Sequence, residues 1–129
     1  MNQAVIGIGS NIQPAKHVAR VREIFRETFG SVRESRFVET EPIGAPDQPN
    51  YLNGALLIET SLSRSELRDW LRQTEARLGR ARSSDKYASR TMDLDILVWN
   101  GRIVDPEVHK RRFLRDALLE LVPACLGSD

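Results

Sequence analysis

The sequence predicts an α+β fold with the element order strand, helix, strand, strand, helix, strand, on three observations. Two segments repeat apolar residues at helical spacing, four others read as short apolar or alternating runs, and Gly or Pro punctuates most of the joints. With 129 residues, 40% hydrophobic and 29% charged, the chain fits one domain, residues 1–129, around one core.

Val5 to Ile8, ending at Gly9, reads as a short buried strand. From Pro14 onward, Val18, Val21, Ile24, Phe25 and Phe29 recur at helical spacing, and Gly30 is the expected stop. Val32 to Thr40 reads as the second strand. "EPIGAPDQPN" follows as an irregular loop, and residues 51 to 61 return to a strand pattern. The second helix has a capping-box start, with Ser63 as N-cap and Glu66 three residues on. Leu62 and Leu67 stand at the hydrophobic-staple positions. Leu67, Trp70, Leu71, Thr74 and Leu78 form its apolar face, and Gly79 ends it. Residues 92 to 99 make the fourth strand, and Phe113 to Leu121 a last short helix before Pro123. This is the ferredoxin-like βαββαβ arrangement, an antiparallel sheet with both main helices on one face and the other face left to carry an active site.

Composition excludes several classes. With 19 basic and 18 acidic residues the net charge is +1, so no overall field gathers nucleic acid or an anionic membrane. No apolar run is long enough to span a bilayer, and the first residues lack the pattern of a secretory signal. The one cysteine, Cys125, cannot form an intrachain disulfide, which suits a cytoplasmic protein.

The chemistry concentrates in "RTMDLDILVWNG", residues 90 to 101. Strand alternation puts Asp93, Asp95, Leu97 and Trp99 on one face, and the apolar Met92, Leu94, Ile96 and Val98 on the helix-covered face. Two carboxylates so close repel unless a cation lies between them, and oxygen ligands on a rigid strand suit Mg²⁺. Alone, an Asp-x-Asp pair is better explained by two solvated acids at a strand end, because the motif is short and common. Upstream, however, Arg77, Arg80, Arg82, Lys86 and Arg90 crowd toward the strand. Guanidinium groups grip phosphate oxygens, so arginines beside a Mg²⁺-binding pair point to a polyphosphate. Tyr51 and Asn53 share a strand face, as an aromatic platform and an amide suited to reading a heterocycle. "GIGSN" is not a phosphate-binding P-loop, since it lacks the Gly-Lys-Ser/Thr ending, nor a dinucleotide fingerprint, because Ile12 stands where the third glycine belongs. His17 and His109 lack partners at zinc-ligand spacing, and no Ser/His/Asp triad is suggested by spacing.

Taken in order, "GIGSN", "ETEPIGAPDQPNYLNGALLIETSL", "EARLGRAR" and "RTMDLDILVWNG" resemble the hydroxymethyldihydropterin pyrophosphokinase family of folate biosynthesis, in a short variant. The resemblance covers residues 5 to 101 and implies transfer of pyrophosphate from ATP to the hydroxymethyl group of a reduced pterin, releasing AMP. It implies that Asp93 and Asp95 hold two Mg²⁺ ions, and that Arg80, Arg82 and Arg90 are catalytic phosphate contacts. It implies a pterin pocket of Thr40, Ile43, Tyr51, Asn53 and Phe113, and ATP contacts from Glu75, Arg90, Ile96 and Arg111.

The sequence departs from the family in several places. The family's longer segment with a Pro-His-Pro is represented here only by "RIVDPEVHK", so that either Asp105 or His109 takes the histidine's place. Tyr87 stands near a usual Trp, Glu41 at a usual Pro, and Arg72 at a usual Gln. The partners expected are ATP and the pterin, with no nucleic acid, membrane or obligate protein partner. Two alternatives remain at this level. One is a paralogue that binds pterin or nucleotide with impaired catalysis. The other is a ferredoxin-like RNA-binding domain, disfavoured because the sheet lacks paired stacking aromatics.

Overall fold

The computed structural model describes residues 1–42, 47–79 and 92–126. In chain order the elements are β1 (Asn2–Ser10), α1 (Pro14–Phe29), β2 (Arg33–Glu34), β3 (Val38–Thr40), β4 (Tyr51–Thr60), α2 (Arg64–Arg77), β5 (Asp93–Trp99), β6 (Arg102–Ile103) and α3 (Arg112–Leu121). A 3-10 turn, Pro106–His109, joins β6 to α3.

One antiparallel sheet runs in the order β2-β4-β1-β5-β6, with β3 also paired to β4. Reading β2 and β3 as one edge strand gives the ferredoxin-like order that the βαββαβ pattern predicts. The single strand expected over Val32 to Thr40 is interrupted between Glu34 and Val38. The register against β4 advances by one residue there, as in a β-bulge. Ser35 keeps the edge paired across the break. Its N–H donates to the Ala55 carbonyl, and its hydroxyl accepts from the Ala55 N–H at 2.9 Å.

Both main helices pack on one sheet face, as their apolar stripes require. Val18, Val21 and Phe25 of α1 and Leu67 and Leu71 of α2 meet Ala4, Ile6, Ile8, Leu56, Ile58, Met92 and Leu94 of the sheet. Phe25 and Trp70 stack edge to face at 5.2 Å, which ties the helices to each other. The capping box at Ser63 forms as predicted, and Gly30 closes α1 with φ +76°.

The opposite face is only partly open. Helix α3 lies across its lower half, where Ala117, Leu118 and Leu121 cover Val5, Ala55, Leu97 and Val98. A β-bulge decides which β5 side chains go there. Ile6 pairs with Ile96 and Val5 with Val98, so Leu97 is the extra residue. Leu97 and Val98 therefore both join the α3 cluster, while Trp99 returns to the α1/α2 cluster. Strict alternation assigned Val98 and Trp99 to the opposite faces, and the bulge reverses both. Asp93 and Asp95 precede the bulge, so their predicted face holds.

Candidate active site

Above α3, no described helix covers the same sheet face, and the β1 residues there have little bulk. Gly7 and Gly9 of β1 lie opposite Asp95 and Asp93 in the ladder. A Cβ on Gly9 would stand 2.7 Å from Asn53 Oδ1, and one on Gly7 3.1 Å from Leu97 Cδ1. The glycines thus make room for the neighbouring strands' side chains to lean over β1. The result is a cavity of about 490 Å³, floored by Gly7 and Gly9.

Two walls of this cavity differ in chemistry. On one side stand Thr40, Tyr51 and Asn53, with Phe113 and Leu114 from the start of α3. Asn53 Nδ2 donates to Thr40 Oγ1, which fixes the amide orientation across the β3–β4 pair. Aromatic rings beside an oriented amide suit a flat heterocycle with polar edges. On the other side stand Asp93 and Asp95, joined by Asp105, Glu107 and Arg111. Arg111 Nε donates to Glu107 Oε2 at 3.0 Å.

Asp95 is the most perturbed acid of the site. Its carboxyl is pushed up to about 7, first by burial and next by the charge of Asp93, with Asp105 and Glu75 adding to the effect and Arg72 opposing it. Its side chain is 42% exposed, so the burial is that of a concave wall open to the cavity rather than of the core. Burial and the adjacent Asp93 charge both disfavour the ionised form of Asp95, and a cation held between the two carboxylates would relieve both. Two adjacent oxygen ligands suit a divalent cation, and the residues fit Mg²⁺ on these grounds.

A second cavity of about 190 Å³ adjoins the first. Arg64, Arg68 and Arg72 line it from one side of α2, at successive spacings of four residues. Ile96, Val104 and Pro106 face them, and Asp95 and Asp105 border both cavities. Arginines on one wall with a carboxylate pair at the junction make this a place for a polyanion bridged by a cation.

Behind the site, Glu75 is 1% exposed and lines neither cavity. Its Oε2 accepts the Leu94 N–H at 2.8 Å and Arg72 Nη1 at 2.9 Å. Arg72 Nη1 also donates to the Leu94 carbonyl at 2.9 Å. Among the described residues, β6 pairs with Val98 and Trp99 and not with Leu94, and the Glu75 and Arg72 side chains bond the Leu94 edge.

Of the residues singled out in the sequence, Thr40, Tyr51, Asn53, Asp93, Asp95, Arg111 and Phe113 meet at the larger cavity, and Ile96 at the smaller. Glu75, expected as an ATP contact, sits beneath the site and reaches it through Arg72. Ile43, Arg80, Arg82 and Arg90 lie outside the described residues. Of the two candidates for the family histidine's place, Asp105 is at the cavity wall. His109 is exposed on the 3-10 turn and lines neither cavity.

Sequence reasoning missed the hairpin that brings Asp105 there. Asn100 and Gly101 both have positive φ, 47° and 83°, in the two-residue turn between β5 and β6. An Asn-Gly pair after a strand is the usual signal for such a turn. The Val104 N–H then bonds the Leu97 carbonyl at 2.9 Å, which lays the following Asp105 beside the aspartate strand.

The chain is similar to known proteins over most of its length. Residues 5–123 match the family described as 7,8-dihydro-6-hydroxymethylpterin-pyrophosphokinase. The chain is 36% identical to the 2-amino-4-hydroxy-6-hydroxymethyldihydropteridine pyrophosphokinase of Methylorubrum extorquens, across 95% of this chain and 80% of that protein. It is 33% identical to the enzyme of the same name from Haemophilus influenzae, across 94% of this chain and 82% of that protein. It is also 31% identical to a folate synthesis bifunctional protein of Arabidopsis thaliana, across 98% of this chain but 28% of that protein.

Proposed function

Because the chain belongs to the 7,8-dihydro-6-hydroxymethylpterin-pyrophosphokinase family, we propose that its two-walled cavity carries out that family's transfer. Pyrophosphate passes from ATP to the hydroxymethyl oxygen of 6-hydroxymethyl-7,8-dihydropterin, with AMP released, in folate biosynthesis. The observation that carries this reading is the meeting of an acid pair with a heterocycle pocket in one cavity, where Asp93 and Asp95 face Tyr51, Asn53 and Phe113.

In this reading the pterin lies flat between Tyr51 and Phe113, with the Asn53 amide on its polar edge. Asn53 is suited to that because Thr40 already fixes which way its amide points. The hydroxymethyl group is thereby aimed at the aspartate wall. The nucleotide lies along the smaller cavity, beside Ile96, with Arg64 and Arg68 near its anionic part. Asp93 and Asp95 would hold Mg²⁺, two ions by family resemblance. Held there, Mg²⁺ would supply charge neutralisation on the phosphate oxygens.

The chain's own contribution is mainly placement. The alcohol oxygen attacks the β-phosphorus in line, and the bond from that phosphorus to the bridging α-oxygen breaks as AMP departs. Arg111, held by Glu107, lines the larger cavity on its acidic side and is suited to receive phosphate charge. Arg80, Arg82 and Arg90 are assigned by resemblance to the same task. No helix among the described residues is long and apolar enough to cross a membrane. With a single cysteine and two water-soluble substrates, we place the reaction in the cytoplasm.

Incubation with ATP, Mg²⁺ and the reduced hydroxymethylpterin yields AMP and the pterin diphosphate in equal amounts. Absence of AMP at high enzyme concentration overturns the assignment.

A further inference from the structure

We propose that Arg72 is a positioning residue of the metal and nucleotide site, resting on the reading above: it is the resident counter-ion of Asp95 before metal binds, and a phosphate ligand afterwards. The two ends of its guanidinium are held very differently. Nη1 is pinned twice, to Glu75 Oε2 and to the Leu94 carbonyl, both at 2.9 Å. Nη2 makes only a 3.5 Å contact with Asp95 Oδ1, at the outer limit of a hydrogen bond. The Glu75 anchor is itself fixed by the Leu94 N–H and is fully buried. One end is therefore a pivot and the other is free to leave.

Charge decides when it leaves. The three acids Asp93, Asp95 and Asp105 line this corner, and Arg72 Nη2 stands 3.5 Å from Asp95 Oδ1 as a cation beside them. A divalent ion bound by Asp93 and Asp95 takes over that attraction and repels the guanidinium. Rotation about the Nη1 anchor then turns Nη2 into the smaller cavity, which Arg72 already lines with Arg64 and Arg68. A planar fork with one edge on a fixed carboxylate presents its other edge to a phosphate at little entropic cost. The residue thus opposes metal binding in the absence of nucleotide and favours nucleotide once metal is present. Those opposite signs separate it from a purely structural arginine.

The test is titration of nucleotide-free protein with Mn²⁺, followed by electron paramagnetic resonance of the free ion, alongside calorimetry with Mg²⁺ and a non-hydrolysable ATP analogue. Arg72→Gln binds Mn²⁺ roughly three- to tenfold more tightly than wild type, the scale of a partly exposed charge pair. The same variant binds the Mg²⁺–nucleotide analogue roughly tenfold more weakly. Arg72→Lys keeps the charge without the fork. It leaves Mn²⁺ affinity within about twofold of wild type and still loses nucleotide affinity. The Lys variant carries the test alone if the Gln variant melts below the working temperature.

Unchanged or weaker Mn²⁺ binding by Arg72→Gln overturns the proposal, as does unchanged nucleotide affinity in either variant. A fall in Mn²⁺ affinity in Arg72→Lys overturns it too. Equal Mn²⁺ binding by wild type and Asp95→Asn instead overturns the metal assignment itself, and this proposal with it.

Discussion

Glu75 Oε2 accepts a hydrogen bond from the Leu94 N–H at 2.8 Å, and this bond joins the buried end of α2 to the strand that carries the acid pair. Leu94 lies between Asp93 and Asp95 and points into the core, fully buried. Its backbone sets the direction of both carboxylates. The orientation of the aspartate wall is therefore determined from behind, by a residue that lines neither cavity.

Removing that residue exposes the cost. Glu75→Ala leaves the Leu94 N–H and the Arg72 guanidinium without their buried acceptor, and lowers stability by about 3 kcal/mol. Glu75→Gln keeps one acceptor oxygen for Leu94 and loses less, about 1–2 kcal/mol. Urea denaturation at pH 7 measures both. Equal losses in the two variants would show that the charge matters and the Leu94 bond does not.

Asp95→Ala separates chemistry from folding. The side chain is part of a cavity wall rather than of the core, so the fold tolerates its loss. Turnover, read as AMP formation, falls by roughly 10³-fold or more, because charge on the phosphates is no longer neutralised. Circular dichroism of the variant stays at the wild-type signal. Near-normal turnover refutes the metal-ligand role.

The same residue makes stability depend on pH. Its carboxyl is raised from an ordinary 3.8 to about 7 in the folded protein. The native state therefore binds more protons than the unfolded state between those values, and metal-free stability falls as pH rises through that window. After allowance for the 42% exposure of the side chain, the loss attributable to Asp95 is about 1–2 kcal/mol by pH 8. Asp95→Asn lacks this contribution and is the more stable protein at pH 8 without metal, while the two converge near pH 4. Adding Mg²⁺ at pH 8 raises the Tm of wild type and not of the variant. Parallel pH–stability curves for the two proteins contradict the assignment.

Gly9 is predicted to control the pterin side alone. A methyl group there would sit 2.7 Å from Asn53 Oδ1 and 3.7 Å from Tyr51 Cδ1. Gly9→Ala turns the amide away from its Thr40-fixed orientation and raises the pterin KM about tenfold, equivalent to about 1.4 kcal/mol. The ATP KM stays near wild type, because Gly9 does not line the smaller cavity, where the nucleotide is proposed to lie. Steady-state kinetics with each substrate varied in turn checks this, and equal changes in both KM values count against it.

Local signals carried much of this architecture. The helical stripes, the Ser63–Glu66 capping box and the placing of Asp93 beside Asp95 depend on residues within one or two turns, or on strict alternation. So do Tyr51 and Asn53, two positions apart on β4. The chain by itself thus determined the two main helices and the shared face of the acid pair. Even Asp105 was within reach, since Asn100-Gly101 announces the turn that returns it to the site.

What only the tertiary structure decided arises between segments distant in sequence. The bulge at Leu97 depends on how β5 meets β1, and nothing in either strand alone reveals it. The covering of the lower sheet by α3 depends on Leu118 and Leu121 finding Val5, Ala55 and Leu97. Arg72 and Glu75, three residues apart, look like an ordinary helical ion pair in the sequence. Only packing of α2 against β5 makes them the edge partners of Leu94 and gives Arg72 its reach to Asp95. Short-range periodicity records which way a side chain points. It holds no record of which backbone lies beside it, and the fine geometry of this site rests on that.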